Sequence, residues 1–359
     1  MLRKPLDAHA LRLIDHLVRL STLRERDTLL HSVTRALIET VQAVEVETFS
    51  LVLDEAQRFW MPLTRCKAGG KVQIVTDQLR ADVASLVPLS GSVERARCVE
   101  EMKMIVRAPD ATQSKWISVM PVPLSSETAV WGVIEFTSER ELSPTDELAA
   151  SRLLQVFSNM LDVLDYSECD ALTGLWNRKS FDDLFFKTMP AMDLPPPPGV
   201  ETEHRAIVAN PVFWLAMIDI DHFKQVNDRF GHLIGDEVLI LVARLLRSSF
   251  RSHDRVFRFG GEEFVVVLRC ADHESALAAL ERFRSEMAAH NFPQAGRITA
   301  SVGFTQIISG DSPNAACERA DQAVYHGKHN GRNQVCSESD LVARGILKST
   351  VKVSDFELF

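Results

Sequence analysis

The sequence predicts an α+β protein of two domains joined by a helical connector. Its length of 359 residues is about two domains at ordinary size. The apolar pattern alternates between helical spacing and short β-rich runs. One long helical stretch, 144–166, separates two regions that each contain such runs. At 46% apolar and 25% charged, the chain lies far from the composition of disorder. Forty basic residues against 49 acidic ones leave a net charge of −9, which excludes a general binder of nucleic-acid backbones.

The elements follow in order. Residues 7–44 place Leu11, Ile14, Val18 and then Leu30, Val33, Leu37 at helical spacing on either side of Arg24-Glu25-Arg26-Asp27, which predicts two helices. From Val46 to about 137, the runs FSLVLDE, VQIVT, KWISVMPVPL and AVWGVIEFT predict an antiparallel sheet. Trp116 and Trp131 are read as core packing rather than pocket lining. In the connector, Ala150, Leu154, Phe157, Leu161 and Leu164 are spaced four, three, four and three apart. That stripe either docks on its own domain or pairs with a second copy as a coiled coil. The second reading is preferred because the stripe runs straight into the next domain.

The expected boundaries are 1–143 for a regulatory domain, 144–167 for the connector, 168–337 for a second domain and 338–359 for a tail. In the second domain, a helix near Arg178–Lys187 leads into the proline-rich Leu194–Gly199, a surface loop. VFWLAMIDID reads as a strand ending on acids, Glu237–Phe250 as a helix, and RVFRF-GG-EEFVVVL as a hairpin turning on its glycines. Helix 274–289, strand Ile298–Ile307, helix 315–328 and a strand near Gln334–Cys336 complete an alternation around a mostly antiparallel sheet. The tail from Leu341 reads as an added strand or a docking segment.

Six scattered cysteines with no C-x-x-C pair predict reduced, mostly buried thiols. The charged start lacks the pattern of a signal peptide, and no 18-residue apolar run exists. A cytoplasmic protein without a membrane span is therefore expected.

Chemistry concentrates in the second domain. Asp219 stands where an apolar strand runs out, and Glu262 follows the Gly260-Gly261 turn at the start of another. If these strands pair antiparallel, the two carboxylates share one rim of the sheet. With a backbone carbonyl such as that of Ile220, they form a hard-oxygen set suited to Mg²⁺, with Mn²⁺ as the alternative. Asn227 and Asp236 lie nine apart around Gly231 and Gly235. An amide beside a carboxylate can address a guanine edge, the carboxylate accepting from N1–H and the 2-amino group. Lys224, Lys328 and Arg332 supply cations for phosphates, the last two being four apart and expected on one helix face.

These residues sit in Asp170–Arg178, Asp219–Lys224, Asn227-Asp228, Gly231-His232, Gly235-Asp236, Arg258–Phe264, and Ala320-Asp321 through Tyr325, Lys328 and Gly331-Arg332-Asn333. Together they resemble the GGDEF family of diguanylate cyclases over about 170 residues. The resemblance implies a fold like that of the class III nucleotide cyclases and the polymerase palm. It also implies condensation of two GTP into cyclic di-3',5'-GMP with release of two pyrophosphates, by two domains facing each other in a homodimer. Carried over residue by residue, it implies metal contacts at Asp219, Ile220 and Glu262, and guanine contacts at Asn227 and Asp236. Phosphate contacts fall on Lys224, Lys328, Arg332 and Phe223, and Glu263 lies at the reacting edge. Glu262 stands where the family name has aspartate, and Gly327 where alanine is usual. Arg251-Ser252-His253-Asp254 resembles the family's R-x-x-D product-inhibition site, with Arg282 as a second contributor. The first domain resembles a GAF-type sensor, with no motif that names a ligand. A catalytically silent cyclic di-GMP receptor is the alternative, set against by retention of Asp219, Glu262 and Glu263. Neither nucleic acid nor membrane is expected as a partner.

Overall fold

The computed structural model describes residues 8–54, 57–76, 85–111, 113–124, 130–193, 212–251 and 253–348. Contacts divide the chain into two units, Met1–Ser167 and Glu168–Phe359. The proline-rich 194–199, Ser252 and the tail beyond 348 lie outside the described residues. Among those described, no helix is long and apolar enough to cross a membrane.

Unit 1 opens with α1 (Ala8–Thr22) and α2 (Arg26–Val41), the two helices expected. Then come β1 (Glu45–Asp54), β2 (Gln57–Lys67), β3 (Gln73–Ile74), β4 (Val87–Pro88), α3 (Val93–Glu101), β5 (Ile105–Arg107), β6 (Trp116–Pro123) and β7 (Val130–Ser138). The sheet runs β3-β2-β1-β7-β6-β5, with β4 also on β2, and every pairing is antiparallel. The side chain of Ser92 accepts the Arg95 N–H and starts α3. Alternation along the strands buries two faces. Val46, Met120, Ile134 and Phe136 join the cluster containing α1 and α2, while Phe49, Trp60, Val119 and Val133 cluster with Cys98 of α3. Trp131 meets Phe157 edge-on at 5.5 Å, which is core packing.

The last element of this unit, α4 (Pro144–Glu168), corrects the coiled-coil expectation. Ala150, Leu154, Phe157, Leu161 and Leu164 are all buried within the unit's own core, beside Leu153 and Met160. The stripe has the right period for a helix pair, but an adjoining sheet face needs cover. Fully burying side chains such as Phe157 and Leu161 contributes roughly 2–3 kcal/mol each. The stripe thus docks on its own unit, the other of the two readings.

Unit 2 comprises β8 (Trp176–Asn177), α5 (Arg178–Asp193), β9 (Val212–Ile220), α6 (Phe223–Phe230), α7 (His232–Ser249), β10 (Arg255–Gly260), β11 (Glu263–Cys270) and α8 (His273–Ala289). A small pair, β12 (Asn291–Phe292) and β13 (Gly296–Arg297), precedes β14 (Ala300–Gln306), α9 (Pro313–His329), β15 (Val335–Ser337) and α10 (Glu338–Ala343). The expected tail begins with this short helix, and the alternation at Val351–Val353 lies outside the described residues.

The six strands run β15-β14-β9-β11-β10-β8. The sheet is mixed: β10/β11, β11/β9 and β14/β9 are antiparallel, whereas β8 and β15 pair parallel at the edges. A mostly antiparallel sheet was expected. The parallel edge at β15 follows from α9, a crossover that returns the chain in the direction of β14. Central β9 is apolar on both faces. Leu215 and Met217 meet α5 and α9, while Trp214, Ala216 and Ile218 belong to the cluster with α7 and α8. At Gly303 of β14, a Cβ would lie 2.3 Å from both the Ala320 carbonyl oxygen and the Val324 nitrogen, so glycine is what lets the α9 backbone rest on the sheet.

Candidate active site

The register of β9 against β11 sets Asp219 directly opposite Glu263, so both side chains leave the same face of the sheet. Glu262 stands in the turn one residue earlier, its carbonyl oxygen accepting the Ile220 N–H at 3.4 Å. Gly260 (φ 142°) and Gly261 (φ 51°) make that turn. A Cβ at either would meet nothing within 4 Å, so the glycines serve backbone conformation and not space.

Asp219 is 9% exposed. Its Oδ2 lies 2.6 Å from Lys328 Nζ of α9, while Oδ1 is buried without a hydrogen-bond partner. Burial raises its pKa above the ordinary value, Lys328 opposes the rise, and Asp221 and Asp321 add to it. Burial also raises Glu262, with repulsion from Asp219 and Glu263 adding to the shift. Glu263 is raised by burial and by the charges of Asp219 and Asp321. Glu263, Asp321, Tyr325 and Lys328 line one cleft with Asp219. Among the described residues, no group of three or more His, Cys, Asp or Glu side chains is arranged to hold a metal ion.

Two buttresses hold this rim. Arg258 donates through Nε and Nη2 to the Gly261 carbonyl (3.2 and 2.8 Å) and through Nη1 to Asp170 Oδ1 (2.9 Å), tying the hairpin turn to the start of the unit. Burial works against the Asp170 charge, but hydrogen bonds from Thr173 and Arg258 outweigh it and hold the carboxyl below its ordinary value. Asp221, 4% exposed, accepts from Thr299 Oγ1 and Ser301 Oγ (2.7 Å each) and from the Asn333 N–H (3.0 Å). It thereby fixes the loop after α9 to β9 and β14. Sequence reading gave Asp321, Asp221 and the Arg258–Asp170 pair no role, although all four stood within the quoted motifs. What it lacked was the long-range pairing.

On the other face of the sheet, α6 carries half-buried Asn227 and α7 carries exposed Asp236. Gly235, the neighbour of Asp236, lies against Asn227: a Cβ there would fall 1.9 Å from Asn227 Oδ1. The Asn227 amide therefore packs on the residue next to Asp236. Lys224 is exposed on α6. Phe223 points its side chain into the core at 4% exposure, so only its backbone N–H, at the first residue of α6, is left for a phosphate.

Arg332 departs from expectation. α9 ends at His329, and Arg332 lies beyond it at φ 60°, exposed, with its N–H donating to the Gly327 carbonyl at 3.0 Å. It does not share a helix face with Lys328, because the chain turns at Gly331 (φ 111°) before reaching it. In the R-x-x-D segment, the Asp254 side chain is 6% exposed and accepts the N–H groups of Arg251 (3.1 Å) and Arg269 (3.0 Å). Burial pushes its pKa up. Arg251 is exposed, and Arg282 donates to the Ser249 carbonyl at 2.5 Å, at the end of α7.

A mixed sheet with paired acids at the rim of its central strands and covering helices on both faces is the architecture of the C-terminal unit, and residues 200–334 match the family described as diguanylate cyclase, GGDEF domain. The match falls within that unit and covers well under half of the chain. It is similar to diguanylate cyclase DgcP of Pseudomonas aeruginosa, 47% identical over 124 residues that make up 34% of this chain and 18% of that protein. To diguanylate cyclase DgcM of Escherichia coli it is 38% identical over 166 residues, 46% of this chain and 37% of that one. The chain thus spans well under two thirds of these relatives. Among solved structures, the active GGEEF domain of a diguanylate cyclase from Vibrio cholerae is 40% identical, with 35% of this chain and 83% of that one covered at a TM-score of 0.33.

Proposed function

We propose that the chain is a diguanylate cyclase, condensing two GTP into cyclic di-3',5'-GMP and two pyrophosphates as a homodimer, under a sensor domain of GAF type. The observation that carries this reading is Asp219 opposite Glu263, beside Glu262, with one Asp219 oxygen buried and unpartnered. A buried carboxylate oxygen without a donor is costly unless a cation reaches it. Such a donor set suits Mg²⁺ or Mn²⁺ that also grips substrate phosphates.

In this reading Asp219, Glu262 and the Ile220 carbonyl hold the divalent ion. When bound, the ion offsets negative charge on the attacking 3'-oxygen and on the departing pyrophosphate. Asn227 and Asp236 orient guanine by its hydrogen-bonding edge. Lys224, Lys328 and Arg332 neutralise the triphosphate. Glu263, whose pKa is raised by burial and by the neighbouring Asp219 and Asp321 charges, is suited to receive the proton of the 3'-hydroxyl at its side-chain oxygen. With one guanine pair and one set of metal-suited acids among the described residues of the C-terminal unit, each copy of the chain holds one GTP, and reaction needs two facing copies.

The test is incubation of the purified chain with GTP and Mg²⁺ and separation of the nucleotide products. Cyclic di-GMP is expected, with GTP preferred to ATP. Glu262→Gln should abolish turnover while the fold persists by circular dichroism. Undiminished turnover in that variant would remove the metal assignment.

A further inference from the structure

The cation on Asp219 is a lysine of the same chain. Lys328 Nζ sits 2.6 Å from Oδ2, whereas Oδ1 has no partner. A lysine delivers one compact charge on a flexible stem. It satisfies one oxygen and leaves the second bare, with Glu263 and Asp321 lining the same cleft. The helix that carries it is seated against β14 by the backbone contact at Gly303, so the root of Lys328 is fixed while its tip can swing. A divalent ion of the Mg²⁺ class would be held by direct contact with an Asp219 carboxylate oxygen. An ammonium group on the same carboxylate would then face a double positive charge within a few ångströms. The two occupants exclude each other by like-charge repulsion.

Resting on the reading of Asp219 as a metal ligand, we infer that Lys328 is a placeholder for the divalent cation. In the nucleotide-free protein it holds Asp219 and competes with the metal. When triphosphate arrives, the phosphates give the ammonium a better partner and free Asp219 for the ion. Metal affinity is thereby conditional on nucleotide, and the free protein carries little idle metal. The coupling is reciprocal: metal bound first would favour the lysine position that meets phosphate.

The experiment measures Mn²⁺ binding to the full chain without turnover, by the electron paramagnetic resonance signal of free Mn²⁺, first without nucleotide. Lys328→Met should tighten binding about tenfold, a typical coupling for a close charge pair. Lys328→Gln repeats the test with a polar side chain should the first variant fold poorly. Lys328→Arg, which keeps the charge, should stay near wild type. At α,β-methylene GTP concentrations that saturate each variant, and with Mn²⁺ held by free nucleotide subtracted, the gain in Mn²⁺ affinity should be larger in wild type than in Lys328→Met, because the variant has no occupant to displace. Folded Lys328→Met and Lys328→Gln that bind Mn²⁺ no tighter than wild type, while Asp219→Asn loses binding, would overturn the placeholder and leave the metal reading standing. Wild-type Mn²⁺ binding in Asp219→Asn would overturn the metal reading itself.

Discussion

Replacing Gly303 by alanine tests whether the seating of α9 positions the catalytic rim. The added Cβ would lie 2.3 Å from two backbone atoms of α9, Ala320 O and Val324 N, and 2.8 Å from a third, Ala323 C. Real Cβ contacts essentially never fall below 3.0 Å, so the helix must retreat by about 0.7 Å, and no flexible side chain can absorb the clash. Overpacking of a tight core costs about 3 kcal/mol at its upper range. That corresponds to roughly hundredfold faster hydrogen exchange for the β14 amides, read on the full chain. The displacement carries Asp321, Tyr325 and Lys328 with it, and misplacement on the order of 1 Å lowers turnover up to about a hundredfold. Gly310→Ala is the comparison. Its Cβ would meet nothing within 4 Å and adds only the strain of a residue at φ +85°, about 1 kcal/mol. Protection and turnover in Gly303→Ala equal to those of Gly310→Ala would refute the reasoning.

The other expectations concern the two ligand-facing edges and the charge of the rim. Gly235→Ala forces the Asn227 amide off Asp236's neighbour, so KM for GTP should rise about tenfold with a smaller change in kcat; an unchanged KM would separate Asn227 from guanine recognition. Because Asp219, Glu262 and Glu263 have raised pKa values, the folded chain binds more protons than the unfolded one just above the ordinary carboxylate range. Their contribution to stability therefore declines as pH rises through the folded values. A cation binding the charged forms should reverse that decline. In Lys328→Met, where no lysine competes for Asp219, ten millimolar Mg²⁺, about tenfold above an ordinary Kd of ~1 mM, should raise the melting temperature by roughly 3–6 °C near pH 7.5 and by much less near pH 4.5. An equal rise at both pH values would contradict cation binding at these acids. Arg251→Ala should relieve inhibition by added cyclic di-GMP, read as a higher inhibitory concentration. Unchanged inhibition would set the exposed Arg251 apart from product binding.

Asp219 and the hairpin acids were legible because each depends on a local pattern. An apolar run ending on Asp-Ile-Asp and two glycines before two glutamates determine backbone conformation within a few residues. The side chains then follow from strand alternation. Gly231 was legible as the break between α6 and α7, whereas Gly235 lies inside α7, where the approach of Asn227 leaves no room for a Cβ. The stripe on α4 had a readable period but no readable destination. Spacing states which residues want burial and is silent on which surface supplies it, and the adjoining sheet did so. Arg332 was misjudged because a four-residue interval was taken as one helix face, whereas α9 had already ended.

By itself the sequence determined the order of elements, the acids at the strand ends and the turn that presents them, since these rest on propensity, periodicity and glycine's freedom at positive φ. Tertiary structure alone decided that Lys328 meets Asp219, that Asp221 is bound by Thr299, Ser301 and Asn333, and that Asp254 turns inward toward backbone amides. A charge takes whichever partner the packing of distant segments brings within a few ångströms, and that proximity is a property of the folded sheet and its helices rather than of any neighbouring residues in the chain.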